Sequence, residues 1–312
     1  MNNSALPGKI VTHHGYGEAL AHTISFAFFK RFGPHRIASF GFVLFLFFLA
    51  PCPSQKLHGA EIPFDLEDRI ILLKGFINGN GPQNLILDTG ASETIITPPT
   101  AKKLGIRGIA TTADQSIAKV DSISVGDAMV KNLPTYIFDP PQAISLRLDK
   151  GIDYHGILGY SFLSQFVTTI DYQKKTIELS SHQDFRSPKS SANILFDLVD
   201  HHIYIKGSID GKTPVVLLFD TGAAETILCR QTAKQLNIQG SPMAHPPDAL
   251  TATLGSLTVG QAMLKDLQIV IYDPPQAPVS GIRYDGILGY NFLSQFRITI
   301  DYQNRLLALT RE

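Results

Sequence analysis

Two tripeptides in this chain have the residue types to do chemistry together: Asp88-Thr89-Gly90 and Asp220-Thr221-Gly222. Each ends an apolar run, Leu85-Ile86-Leu87 in the first case and Val215-Val216-Leu217-Leu218-Phe219 in the second. An acid at the end of such a run is costly to desolvate unless something satisfies it or uses it. If the two loops meet across a two-fold axis, their carboxylates come too close for both to ionise. One pKa then rises, and the pair holds one proton between them. Such a pair offers a base to deprotonate a bound water and an acid to protonate a carbonyl oxygen. Glycine permits a tight turn with close backbone approach, and the threonine hydroxyl can tie one loop to the other.

A repeat supplies the elements that would position these loops. Phe64-Asp65-Leu66 recurs as Phe196-Asp197-Leu198, and Ala101-Lys102 as Ala233-Lys234, at the separation of 132 residues that also relates Asp88 to Asp220. Asp139-Pro140-Pro141-Gln142-Ala143 returns as Asp273-Pro274-Pro275-Gln276-Ala277, and Gly156-Ile157-Leu158-Gly159-Tyr160 as Gly286-Ile287-Leu288-Gly289-Tyr290. These last two pairs lie at slightly different separations, which places small insertions and deletions in loops. Strand signals dominate each copy. Arg69–Leu73 and Ile203–Ile205 lead into turns at Asn78-Gly79-Asn80-Gly81 and Asp210-Gly211. Short helices are expected at Pro99–Leu104 and Arg230–Leu236, and closing strands at Val167–Tyr172 and Arg297–Tyr302. The fold class expected is mainly β, in two similar lobes. The organisation is a leader over 1–60, a first repeat over 61–180, a polar linker over 181–193 and a second repeat over 194–312.

The 312 residues carry no net charge, with 17% charged side chains, and no basic stripe with interleaved aromatics. No nucleic-acid partner is expected. Residues 37–50 form an apolar run behind Lys30, Arg31 and Arg36. That layout reads as a signal peptide or membrane anchor, so the protein is expected to be exported, periplasmic or extracellular, or tethered through residues 37–50. Cys52 follows Leu49-Ala50-Pro51, but Pro51 stands where a lipoprotein signal takes a small residue, which argues against lipidation. The only other cysteine, Cys229, is read as a small buried hydrophobe.

The paired Asp-Thr-Gly motifs, each followed by Gly156-Ile157-Leu158-Gly159 or Gly286-Ile287-Leu288-Gly289, resemble the retropepsin-like aspartic proteases. The resemblance covers about 64–310. It implies a bilobal acid-protease fold of two pseudo-symmetric closed β-barrel lobes. It also implies Asp88 and Asp220 as a catalytic dyad formed within one chain. Thr89 and Thr221 would clamp the loops together, with Gly90 and Gly222 at their turns. Ser92 and Ala224 occupy the next supporting position, where copy two lacks a hydroxyl. The Ile-Leu-Gly strands would pack beneath. The implied activity is that of an aspartic endopeptidase acting on polypeptides, with apolar side chains preferred around the scissile bond. No metal or cofactor is implied, and a monomer suffices although a dimer is allowed.

The departures from the family pattern are also explicit. Hairpin flaps would fall near Ile109–Ala118 and Ser241–Leu250, yet neither has a glycine-rich tip, and the second carries Pro246-Pro247. His155 stands where the second copy has Asp285. A protein that keeps the fold and binds peptides or acts as a scaffold without turnover is the alternative. Dyads formed between two chains are the other. His13-His14 and His201-His202 are read as solvated surface, and Glu93 and Glu225 as solvent-facing or loop-bracing. No Ser/His/Asp arrangement, phosphate loop or zinc spacing appears.

Overall fold

The computed structural model describes residues 60–111, 116–138, 153–183, 185, 193–244, 248–273 and 283–311. The apolar segment 37–50, Cys52, His13-His14, Asp139–Ala143, residues 274–277 and most of the linker lie outside them.

The first repeat forms β1 (Ile62–Glu67), β2 (Ile70–Ile77), β3 (Asn80–Leu87), β4 (Ile95–Ile96), α1 (Pro98–Lys103), β5 (Ala110–Thr111), β6 (Ser116–Val125) and β7 (Ala128–Ile137). It continues with β8 (Gly156–Leu158), α2 (Tyr160–Leu163), β9 (Val167–Asp171) and β10 (Thr176–Ser180). The second repeat forms β11 (Asn193–Leu195), β12 (Asp197–Val199), β13 (His202–Ile209), β14 (Thr213–Phe219), β15 (Ile227–Leu228), α3 (Arg230–Gln235) and β16 (Ser241–Pro242). It ends with β17 (Leu250–Val259), β18 (Ala262–Ile271), β19 (Gly286–Leu288), α4 (Tyr290–Leu293), β20 (Arg297–Asp301) and β21 (Leu306–Thr310).

A two-residue turn starts each lobe, and both of its central residues take positive φ. Asp68 and Arg69 join β1 to β2 at φ 49° and 71°, and Asp200 and His201 join β12 to β13 at 46° and 68°. Both central residues of such a turn are left-handed, which matches the twist of the flanking strands. The expected turns at Asn78-Gly79 and Asp210-Gly211 are left-handed too. In the first lobe β2, β3, β8, β4, β7 and β6 follow one another, and β2 pairs again with β6 to close a six-stranded barrel. In the second lobe β13, β14, β19, β15, β18 and β17 close in the same way. The helices α1 and α3 fall within a residue of their expected positions. The single-turn helices α2 and α4 have no counterpart in the sequence reading, since four residues after a glycine carry no helical periodicity.

A further sheet joins the lobes, in the order β11-β21-β20-β9-β10-β1. Its centre is the antiparallel pair β9 and β20, with Thr169 opposite Thr299, Ile170 opposite Ile298 and Thr168 opposite Ile300. Equivalent residues exchange places across Thr169 and Thr299, whose hydroxyls lie 3.1 Å apart. The pseudo-two-fold axis therefore passes between these threonines. One apolar core runs through both lobes, from Leu85, Leu87 and Leu158 to Leu217, Phe219 and Leu288. Among the described residues no helix is long and apolar enough to cross a membrane.

Candidate active site

The strand β3 is buried on both faces, and so it is apolar at every position from Leu85 to Leu87. Leu85 and Leu87 enter the main core. Ile86 faces the other way, with Ile70, Leu72, Ile95, Phe138 and Ile157, in a second apolar cluster. Asp88 continues the alternation on the Ile86 side. The strand β8 runs parallel to β3, with Leu87 beside Leu158, and the Asp88 N–H donates to the Leu158 carbonyl at 3.1 Å. The second lobe repeats this, with Asp220 N–H donating to Leu288 at 3.1 Å. Each Ile-Leu-Gly strand thus carries the root of one aspartate loop.

The loops meet across the axis. The Thr89 N–H donates to Thr221 Oγ1 at 3.0 Å, and the Thr221 N–H donates to Thr89 Oγ1 at 3.0 Å. Thr89 Oγ1 in turn donates to the Phe219 carbonyl at 3.2 Å, and Thr221 Oγ1 to the Leu87 carbonyl at 3.3 Å. Both threonines are fully buried, so four hydrogen bonds hold the lobes together where water cannot compete.

The aspartates lie in contact. A Cβ on Gly90 would stand 2.6 Å from Asp220 Cγ, and one on Gly222 would stand 2.6 Å from Asp88 Cγ. Any side chain at either glycine would fill the place of the opposite carboxylate. Gly90 N–H donates to Asp88 Oδ1 at 2.8 Å, and Gly222 N–H to Asp220 Oδ1 at 2.7 Å. Asp88 is 6% exposed, and Asp220 is only half-buried. Burial, the charge of Asp220 and a hydrogen bond to its carboxyl raise the Asp88 carboxyl well above its ordinary value; the Gly90 and Ala91 backbone oppose this. Ser92 is not among the partners of that carboxyl. Its counterpart Ala224 is buried.

The two Asp-Thr-Gly loops, each on an Ile-Leu-Gly strand, match a family model for aspartyl proteases over residues 73–162 and again over 205–292. The chain belongs to the aspartyl protease family. The fold of this aspartyl protease family member is similar to that of an aspartic proteinase from Irpex lacteus. The two are 12% identical with a TM-score of 0.52, over 81% of this chain and 97% of that chain. A retropepsin-like aspartic protease from Rickettsia conorii is 22% identical over 39% of this chain and 90% of that one, at a TM-score of 0.30. A search of curated proteins by sequence finds no match.

Several residues around the aspartyl protease loops differ from their expected places. His202 is not solvated surface: it is 8% exposed, at the start of β13 opposite Val199 of β12, within reach of the charge of Asp220. His201 is exposed as expected, with partners of its own. Its ring stacks on Tyr160 with centroids 4.3 Å apart, and its Nδ1 lies 3.3 Å from Glu93. Arg69 makes the matching ion pair with Glu225 in the opposite direction. Glu93 and Glu225 therefore brace the loops, each held by a turn of the other lobe. Burial raises the Glu93 carboxyl, with His201 and the Ser161 hydroxyl acting against it. His155 takes over the work of an aspartate. The Asn84 N–H donates to His155 Nδ1 at 3.0 Å, where the Val216 N–H donates to Asp285 Oδ2 at 2.8 Å.

Hairpins stand at both expected flap positions. β5 pairs with β6 through Ala110 and Ile117, and β16 with β17 through Pro242 and Leu250. Their tips, 112–115 and 245–247, lie outside the described residues. Cys229 is buried as expected; burial pushes its thiol up to about 11, which keeps it un-ionised. A hollow of about 350 Å³ lined by Gln165, His182, Gln303 and Asn304 contains neither aspartate.

Proposed function

We propose that the protein is an aspartic endopeptidase in which Asp88 and Asp220 activate one water molecule for attack on a peptide bond. The contact of the two carboxyl groups across the pseudo-two-fold axis carries this reading. With one proton between them, the ionised carboxylate takes a proton from the water and the protonated one donates to the substrate carbonyl oxygen. Oxygen adds to the carbonyl carbon, the tetrahedral intermediate collapses, and the leaving nitrogen departs with a proton from the dyad. The products are a carboxylic acid and an amine, with no covalent enzyme intermediate. Thr89 and Thr221 hold the carboxylates at a fixed separation, which supplies the preorganisation such a step requires. The substrate class proposed is polypeptide, with apolar side chains around the scissile bond in keeping with the family resemblance. The segment 30–50 supports export, with the catalytic lobes on the outer side of the membrane.

The test is digestion of casein and a peptide library by the purified full-length chain across acidic to neutral pH. The wild type is expected to cut, and Asp88→Asn and Asp220→Asn each to lose at least about 100-fold. Full activity in either single variant would remove the single-dyad reading. Peptide binding without cleavage at any pH would convert the protein to a binding module on a protease fold.

A further inference from the structure

Among the places where the pseudo-symmetry of the two lobes breaks, one lies beside the carboxylates. In the first lobe, β2 and β3 pair with Leu72 opposite Ile86, so the register carries Ile70 to the place opposite Asp88. In the second lobe, β13 and β14 pair with Tyr204 opposite Leu218, so the register carries His202 to the place opposite Asp220. Residues opposite one another in an antiparallel pair share a face, and their Cβ atoms lie about 5 Å apart. Continued two residues past the last recorded pair, that register sets a branched alkyl group beside Asp88 and an imidazole beside Asp220.

The imidazole of His202 is more than nine-tenths buried, and its Nδ1 has no hydrogen-bond partner. Burial lowers its affinity for a proton. The backbone of Asp200, the charge of Asp220, the backbone of Gly90 and the charge of Asp200 act in the opposite direction. His202 thus feels groups from both halves of the site, since Gly90 belongs to the Asp88 loop. The other titratable neighbours are tyrosines. Tyr172 and Tyr284 feel the charge of Asp220, and Tyr302 feels that of Asp88. Tyr172 and Tyr302 occupy equivalent positions after β9 and β20, so they act alike on the two carboxylates.

We propose that His202 is a positioning residue that makes Asp220 the carboxylate that ionises first and leaves the shared proton on Asp88. The proposal rests on the reading of Asp88 and Asp220 as one dyad. A neutral imidazole turns an N–H dipole toward a neighbouring anion, and an imidazolium adds a full charge. Ile70 offers neither to Asp88. The half-buried Asp220 is then the base that takes the proton from water, and the buried Asp88 is the acid. Two chemically identical side chains acquire fixed, opposite roles because one cross-strand neighbour differs.

The experiment is a pH titration of the full-length protein labelled with carbon-13 at the aspartate side-chain carboxyl. Signals are assigned by comparison with Asp88→Asn and Asp220→Asn. The wild type, His202→Ile, His202→Gln and the exchange Ile70→His with His202→Ile are compared. Between the two ionisation steps of the wild type, Asp220 is expected to read as carboxylate and Asp88 as carboxylic acid. In His202→Ile the two signals should move together, and in the exchange variant the assignment should invert. His202→Gln, which keeps an N–H donor, should retain the wild-type order with a smaller difference. It carries the test if His202→Ile fails to melt cooperatively. In peptide hydrolysis, the acid limb of kcat/KM should move to higher pH in His202→Ile by roughly half a unit or more. An unchanged wild-type order in His202→Ile and in the exchange variant overturns the proposal and assigns the asymmetry to the deeper burial of Asp88. Two carboxyls that titrate independently would instead remove the dyad reading, and the proposal with it. Absence of cleavage alongside the expected titration would leave His202 in its role and count only against turnover.

Discussion

Asp88 binds its proton more tightly in the folded protein than an ordinary carboxyl does, and this has a consequence for stability. For a carboxyl raised on folding, the native state holds more protons than the unfolded one between the two pKa values. Its contribution to stability is therefore largest in acid and declines as pH rises from about 3.8, the ordinary value, through the raised one. Asp88→Asn removes that decline. The variant is expected to be more stable than the wild type at neutral pH, with the difference shrinking toward pH about 4. Denaturant midpoints of both proteins from acid to neutral pH check this, and the difference between them cancels the carboxylates that do not interact with Asp88. The threonine clamps lend themselves to a second test. Thr89→Ala strips the buried Thr221 N–H and Phe219 carbonyl of partners, at a cost of about 2–4 kcal/mol, whereas Thr89→Ser keeps the hydroxyl and costs far less. Urea unfolding of the pair separates the loss of the hydroxyl from the loss of a methyl group. His155 yields a third. His155→Ala leaves the Asn84 N–H unpaired and should cost about 1–3 kcal/mol, while His155→Asp restores the arrangement of the other lobe and should cost less.

At the scale of elements, the seam between β9 and β20 does the joining. Ile170, Ile298 and Ile300 are fully buried there, and Arg297 reaches back across the seam to Glu178 at 2.8 Å and Asp171 at 3.7 Å. Ile298→Ala is expected to destabilise the protein by about 2–5 kcal/mol, because β9 and β21 flank it and little can collapse into the space. Thermal unfolding followed by calorimetry measures it. The elements that carry the aspartates were legible in the sequence because their periodicity is unusual. Apolar runs that end in Asp-Thr-Gly, each followed at a similar distance by an Ile-Leu-Gly segment, demand strands buried on both faces. The helices α2 and α4 were not legible, since a single turn has no period. The burial of His202 was also missed. Adjacent histidines look like surface until the register of β13 against β14 is known, although alignment of the repeats already set His202 against Ile70.

For the whole molecule, the latches Arg69 with Glu225 and His201 with Glu93 couple each lobe to the loop of the other. They are partly exposed, so breaking one is expected to change global stability by no more than about 1 kcal/mol. The buried threonine clamps and the seam carry the larger share. With both aspartates supplied by one chain, specific activity should not fall on dilution. Activity assays over a wide range of protein concentration, beside light scattering, check this. A fall in specific activity at low concentration would favour pairing between chains.

The sequence alone determined the repeat, the mainly β class and the two Asp-Thr-Gly loops. Each of these depends on local periodicity or on self-similarity, and both are written along one dimension. Only the tertiary structure decided that the loops touch, that Thr89 and Thr221 exchange hydrogen bonds, and that Asp88 is buried more deeply than Asp220. It also decided which neighbours the carboxylates have. Contacts across a pseudo-two-fold axis join residues about 130 positions apart, and no local pattern encodes such a meeting.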